Sequence, residues 1–203
     1  MAECIEDSYS TLAAPSQGIF RSKGSRFLAF AFPVHSEAEI RKHIEEIKKQ
    51  YFDARHHCYA YKLGLKGDLY RANDDGEPSG TAGKPILGQI DSFGVTYVLV
   101  VVVRYFGGVL LGTGGLVEAY KEAAADALQQ AEIITGLVYE TCEITFPYER
   151  MNEVMRLIKD AGLNLIKMES GIHCVLEIKI RKRDRSLFSG KLKLIESLQQ
   201  NWR

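Results

Sequence analysis

The chain has 203 residues, 46% of them hydrophobic and 26% charged, with a formal net charge of +0. That composition builds a globular protein with a sizeable core, as one large domain or two small ones. Balanced charge excludes a global field toward nucleic acid or membrane, so any such partner must be met by a local patch.

In chain order, residues 1–17 read as a loose leader. The opening MAECIEDSYS is acidic and lacks the apolar stretch of a secretory signal. Arg26 to Val34 is a strand rich in phenylalanine. Ser36 and Glu39 form a capping box, and Ile40, Ile44, Ile47 and Tyr51 then mark one helical face up to about Gln50. Ala54 to Leu63 is a second strand, whose alternation places His56, Cys58 and Ala60 on one face. A loop over 64–80 follows, then a short helix over Thr81 to Ile90 with Thr81 as its cap. Val95 to Val103 (VTYVLVVVV) is continuously apolar and β-branched, hence a strand buried on both faces. Its longest apolar run is far short of the ~20 residues of a membrane helix, and no membrane partner is expected. A helix from about Leu116 to Ala131 closes this half.

The chain divides near residues 134–138, giving domains of 1–135 and 136–203. In the second, Tyr139 to Phe146 is a strand and Met151, Val154, Met155 and Ile158 mark a helix stopped at Gly162. Leu163 to Glu169 and His173 to Ile180 form a hairpin turning at Ser170-Gly171, and 184–199 reads as helical. The order βαββα predicts a small ferredoxin-like domain, and the whole chain an α+β fold.

The four cysteines, Cys4, Cys58, Cys142 and Cys174, form no C-x-x-C pair. They read as reduced thiols of a cytoplasmic protein, and no metal or cofactor is expected.

Two loops carry the unusual chemistry. The first, DDGEPSGTAGKPIL, sets Asp74, Asp75 and Glu77 among Gly76, Gly80, Thr81, Gly83 and Lys84. Such carboxylates can share a proton, bind a hard cation or accept from an arginine. The EF-hand order is absent. A phosphate-cradling GK[ST] is absent too, because Pro85 follows Lys84. The second loop, Gly107-Gly108-Val109-Leu110-Leu111-Gly112-Thr113-Gly114-Gly115, leads from a buried strand into a helix. That is the setting of an anion cradle, with Arg104 before it and Lys121 after. Tight backbone packing explains the glycines equally well. His56 and His57 point to opposite faces of a strand and cannot easily share a metal. No spacing singles out Ser79, Thr81 or Thr113 as a nucleophile. A basic stretch of Lys179, Arg181, Lys182, Arg183 and Arg185 is either a solvated face or a contact for nucleic-acid phosphates.

DDGEPSGTAGKPIL, VVVRYFGGVLLGTGGLVEAY and the preceding DARHHCYAY resemble the double signature of the IMPACT family in its bacterial YigZ-like form, over residues 17–130. The resemblance implies an N-terminal domain of the ribosomal protein S5 domain 2-like fold. It also implies a ferredoxin-like domain similar to the C-terminal domains of elongation factor G. A eukaryotic member of the family regulates translation by competing for the activator of a starvation-sensing kinase. For bacterial members the resemblance implies a nucleic-acid or ribosome-linked role without an established reaction.

The expectation is therefore a cytoplasmic binding protein of translation control, with RNA, the ribosome or a protein as partner. Lys84 and Arg104 would supply charge at the glycine-rich loops, and Asp74, Asp75 and Glu77 would orient them or meet a basic partner. The alternative is a small-molecule enzyme of phosphotransfer or hydrolysis using the same loops.

Overall fold

The computed structural model describes residues 7–203. Cys4 and the first part of the expected leader, residues 1–6, lie outside the described residues. The chain is α+β and forms two compact units, Tyr9–Gly136, and Leu137–Arg203 together with Asp7 and Ser8.

The first unit holds β1 (Ser8–Leu12), β2 (Ser16–Ser22), β3 (Ser25–Pro33), α1 (Glu37–Gln50), β4 (His56–Leu63) and β5 (Leu69–Asn73). It continues with α2 (Gly83–Ser92), β6 (Val98–Tyr105), α3 (Gly112–Gln129) and β7 (Ile133–Leu137). Its main sheet runs β2-β3-β6-β4-β5 and is antiparallel throughout. β6 is central because only a strand without a polar face can be covered on both sides. Val98, Val100 and Val102 face a core completed by α2 and α3, whereas Leu99, Val101 and Val103 face one completed by Ile40 and Ile47 of α1. The capping box of α1 forms as expected at its hydroxyl end, where Ser36 Oγ accepts from the Glu39 N–H at 3.3 Å. The Glu39 carboxylate accepts from His35 N–H at 2.8 Å, one residue before the cap.

The second unit holds β8 (Tyr139–Pro147), α4 (Met151–Asp160), β9 (Asn164–Glu169), β10 (His173–Arg181), α5 (Arg185–Leu192) and β11 (Gln199–Trp202). The antiparallel order β11-β8-β10-β9 is that of a ferredoxin-like split βαβ sheet. Its apolar face, with Ile144, Phe146, Leu176 and Ile178, packs against Val154 and Ile158 of α4 and Phe188 and Leu192 of α5.

Several expectations are corrected. Within the expected leader, residues 8–12 and 16–17 belong to strands. β2 runs close against α3, where a Cβ on Gly18 would stand 2.3 Å from the Ala127 nitrogen. The 64–80 loop contains β5, a short edge strand whose residues are almost all exposed and so carry no apolar alternation. β7 was missed for the same reason. α3 begins at Gly112, four residues before Leu116, because glycine obscures a helix start in any propensity reading. The stretch 184–199 is not one helix: α5 ends at Leu192 and the chain returns as β11. No helix among the described residues is long and apolar enough to cross a membrane.

Candidate functional site

The acidic loop turns its three carboxylates inward, each to a different task. Asp75 and Gly76 both have positive φ, 41° and 87°, and the Glu77 N–H donates to the Asp74 carbonyl at 2.9 Å, as in a type I′ turn. Asp-Gly suits that turn because aspartate tolerates the left-handed region and glycine has no Cβ to resist it.

Asp74 accepts from the N–H groups of Gly80 (2.8 Å), Ala82 (3.0 Å) and Gly83 (2.8 Å), so it caps α2 from outside the helix. Partial burial pushes its pKa up, but those three N–H donors and the nearby Lys84 outweigh it and hold the carboxyl below its ordinary value. Thr81 is not the cap. Its hydroxyl donates to the Pro78 carbonyl at 2.7 Å. Asp75 accepts from the His57 N–H at 2.7 Å and from Lys48 Nζ at 3.3 Å.

Glu77 is buried and joins the two loops. Its Oε1 accepts from Arg104 Nη1 at 2.6 Å and from the Tyr120 hydroxyl at 2.8 Å. The paired side chains are 8% exposed for Arg104 and 3% for Glu77. Arg104 sits at the end of β6, opposite Phe27 on β3 and His56 on β4. Its guanidinium carbon lies 5.5 Å from the Phe27 ring centre and 5.6 Å from that of Phe106. Nε of Arg104 is fully buried and has no hydrogen-bond partner. The Cys58 thiol donates toward the Asp74 carbonyl at 3.0 Å and lies 3.3 Å from the Tyr120 oxygen. Burial, opposed by the Tyr120 hydrogen bond, pushes this thiol up to about 12, so it is no nucleophile near neutrality. Burial likewise raises the Tyr120 phenol far above its usual range. Tyr120 lies within the expected helix from about Leu116 to Ala131 and was not singled out as a site residue. A buried phenol requires a hydrogen-bond partner, and that requirement is the signal that could have found it.

Both histidine rings bond to backbone carbonyls. His56 Nδ1 lies 2.9 Å from the Asp75 carbonyl and His57 Nε2 3.0 Å from the Tyr51 carbonyl, so both of these nitrogens carry the proton. Burial lowers the His57 pKa against the opposing Tyr51 and Asp75 contacts, which keeps the ring neutral at pH 7. Neither His57 nor Asp75 has a hydroxyl partner among the described residues.

The second glycine-rich loop is built the other way, with its polar groups facing out. Gly112, Thr113 and Gly114 are exposed in the first turn of α3. No side chain caps that turn and it contains no acidic residue. Its first N–H groups therefore have no side-chain acceptor among the described residues, at the positive end of an 18-residue helix. Gly107 has a packing reason, since a Cβ would stand 2.0 Å from the Gly24 carbonyl carbon. Gly83 has one too, 2.5 Å from the Asn73 nitrogen, and Gly115 meets Leu111 at 3.2 Å. Gly80, Gly108 and Gly112 have positive φ. Gly114 has neither a positive φ nor any neighbour within 4 Å of a Cβ. Lys84 is exposed near Gly80.

The basic stretch of the second unit is largely neutralised. Arg181 is bound to Asp7 through two nitrogens, which raises the arginine and lowers the aspartate in pKa. Arg185 pairs with Glu140 at 2.9 Å and lies over Trp202, and Arg183 approaches Asp184 at 3.6 Å. Lys179 covers the Tyr139 ring, and Lys182 has no acidic partner among the described residues. Cys58, Cys142 and Cys174 are buried free thiols.

An antiparallel α+β unit with an inward acidic loop and an outward glycine-rich helix start is the class of protein these features define. A family model described as the Impact N-terminal domain matches residues 23–128. An Escherichia coli protein named IMPACT family member YigZ is 32% identical over 92% of this chain and 92% of its own. IMPACT family member YvyE of Bacillus subtilis is 30% identical over 90% of this chain and 84% of its own. A crystal structure described as a hypothetical protein superposes with a TM-score of 0.74 at 32% identity, covering 96% of both chains. The chain belongs to the IMPACT family.

Proposed function

We propose that the protein is a cytoplasmic, translation-associated regulator that binds RNA or the ribosome, and that the N-terminus of α3 receives a backbone phosphate. The observation that carries this reading is Gly114. Glycine in a helix costs about 1 kcal/mol relative to alanine, and here neither conformation nor packing requires it. An open surface above free N–H groups is what a phosphate needs to approach the backbone closely. Lys84, exposed and without an ion pair among the described residues, supplies a cation. Arg104 is held inward by Glu77 and does not face bulk solvent. In the basic stretch of the second unit, Lys179 and Lys182 have no acidic partner among the described residues, and Lys179 lies over the Tyr139 ring.

The test is sedimentation of the tagged protein through a lysate gradient at low and high salt, with and without ribonuclease. Wild type should travel with ribosomes or RNA and be released by salt. Thr113→Asp places a carboxylate over the same N–H groups. It should weaken RNA binding about tenfold or more while raising helix stability by about 0.3–1 kcal/mol. Opposite signs in binding and stability separate a blocked site from a damaged fold. Unchanged co-sedimentation of Thr113→Asp sinks the reading.

One observation favours a protein partner as the second reading. Phe106, Val109 and Leu110 of the same loop are 53%, 51% and 83% exposed. Ribonuclease-resistant co-migration, lost on Leu110→Ser but retained in Thr113→Asp, would select it.

A further inference from the structure

We infer that the Nε edge of Arg104 is an oxyanion fork for a terminal phosphate group, with Phe106 as its cover. The inference deepens the RNA reading and rests on it for the ligand's larger part. The shared chemistry is a phosphate monoester, presented by the 5′ end of an RNA strand or by inorganic phosphate.

Buried donors nearly always have partners, and among the described residues Arg104 Nε is the side-chain atom that lacks one. Looseness does not explain it. The side chain is anchored at Nη1 by Glu77 and held beside the rings of Phe27 and Phe106. Glu77 is in turn fixed by Tyr120. A guanidinium engaged at Nη1 keeps its other edge, Nε and Nη2, as two parallel donors that match two oxygens of a phosphate. Leaving such a donor unsatisfied is unfavourable, and a ligand oxygen that accepts from it removes that cost.

The way in is set by the two rings. Phe27 is fully buried, whereas Phe106 is 53% exposed and begins the loop Phe106-Gly107-Gly108. Gly108 has open space around it and a φ of 86°. Displacing Phe106 outward uncovers the fork and frees an aromatic face for stacking on a base. An internal phosphodiester is flanked by chain on both sides and cannot present its oxygens to a donor buried beside a ring. A terminal phosphate projects three oxygens and can. The uncapped start of α3 would then hold phosphates further along the strand.

The experiment follows the Arg104 Nε–H resonance in the ¹⁵N-labelled full chain. The probes are inorganic phosphate and one short oligoribonucleotide made with a 5′-phosphate or a 5′-hydroxyl. The resonance should move with phosphate and with the phosphorylated strand. The phosphorylated strand should bind about tenfold tighter than the hydroxylated one. Arg104→Lys, which keeps a cation for Glu77 but has no fork, should erase that ratio. Phe106→Ala should tighten binding of inorganic phosphate and keeps the test valid if Arg104→Lys folds poorly. Equal binding of the two strands, with the Nε–H resonance unmoved by either phosphate source, overturns the fork. If both strands still lose affinity equally in Thr113→Asp, the RNA reading survives that failure. If neither strand binds but inorganic phosphate moves the resonance, the fork stands and the RNA reading falls.

Discussion

Glu77→Ala will destabilise the Tyr9–Gly136 unit by about 3–5 kcal/mol, the largest single-residue effect expected at the site. The carboxylate is 3% exposed and serves two buried donors, Arg104 Nη1 and the Tyr120 hydroxyl. Its removal leaves an unpaired guanidinium and an unpaired phenol in a recess lined by Phe27 and Cys58. Neither can be resolvated without opening the sheet end. Glu77→Gln should cost less, because an amide oxygen can still accept from one of them. The pair Glu77→Leu with Arg104→Met should recover much of the loss, since two apolar side chains need no partners. Urea unfolding followed by a probe in the first unit measures all three variants. A loss under about 1 kcal/mol for Glu77→Ala would mean that the ion pair contributes little and that the two loops are held by something else.

That network explains where the sequence was readable and where it was not. β6, α1 and α4 were legible because their apolar spacing maps directly onto burial: Val98 to Val103 alternate between two cores, and Ile40 and Ile47 share one face. β5 and β7 were not legible, since strands with mostly exposed side chains leave no pattern, and β11 is only four residues, three of them polar. The site shows the same division. Its two loops stand out by composition, but composition does not say which way a side chain turns. Asp74, Asp75 and Glu77 read as carboxylates that could share a proton, bind a cation or accept from an arginine, and composition did not say that only Glu77 takes the arginine while Asp74 and Asp75 accept from backbone N–H groups. Arg104 reads as a surface cation, yet it is 7% exposed. The helix cap at α2 comes from Asp74, nine residues before Gly83, a spacing that no local capping pattern contains.

The external cap leads to the second large effect. Asp74→Ala removes the acceptor for Gly80, Ala82 and Gly83 at once and should destabilise the first unit by about 2–4 kcal/mol at pH 7. The cost exceeds that of an ordinary cap because Ala82, at the cap position itself, has no side chain able to substitute. Asp74→Asn keeps one acceptor oxygen and should lose roughly half as much. The pH dependence distinguishes charge from shape. The folded carboxyl is held below its ordinary value, so the unfolded chain, with a pKa of about 3.9, takes up a proton first as pH falls. The charged contribution is therefore fully present above about pH 4 and is lost as pH drops through the folded pKa. Measured by urea unfolding, the gap between wild type and Asp74→Asn should be flat from pH 7 to pH 5 and shrink below pH 4. A gap that stays constant to pH 2 would assign the cap to hydrogen-bond geometry alone, and the helix dipole would no longer account for aspartate at this position.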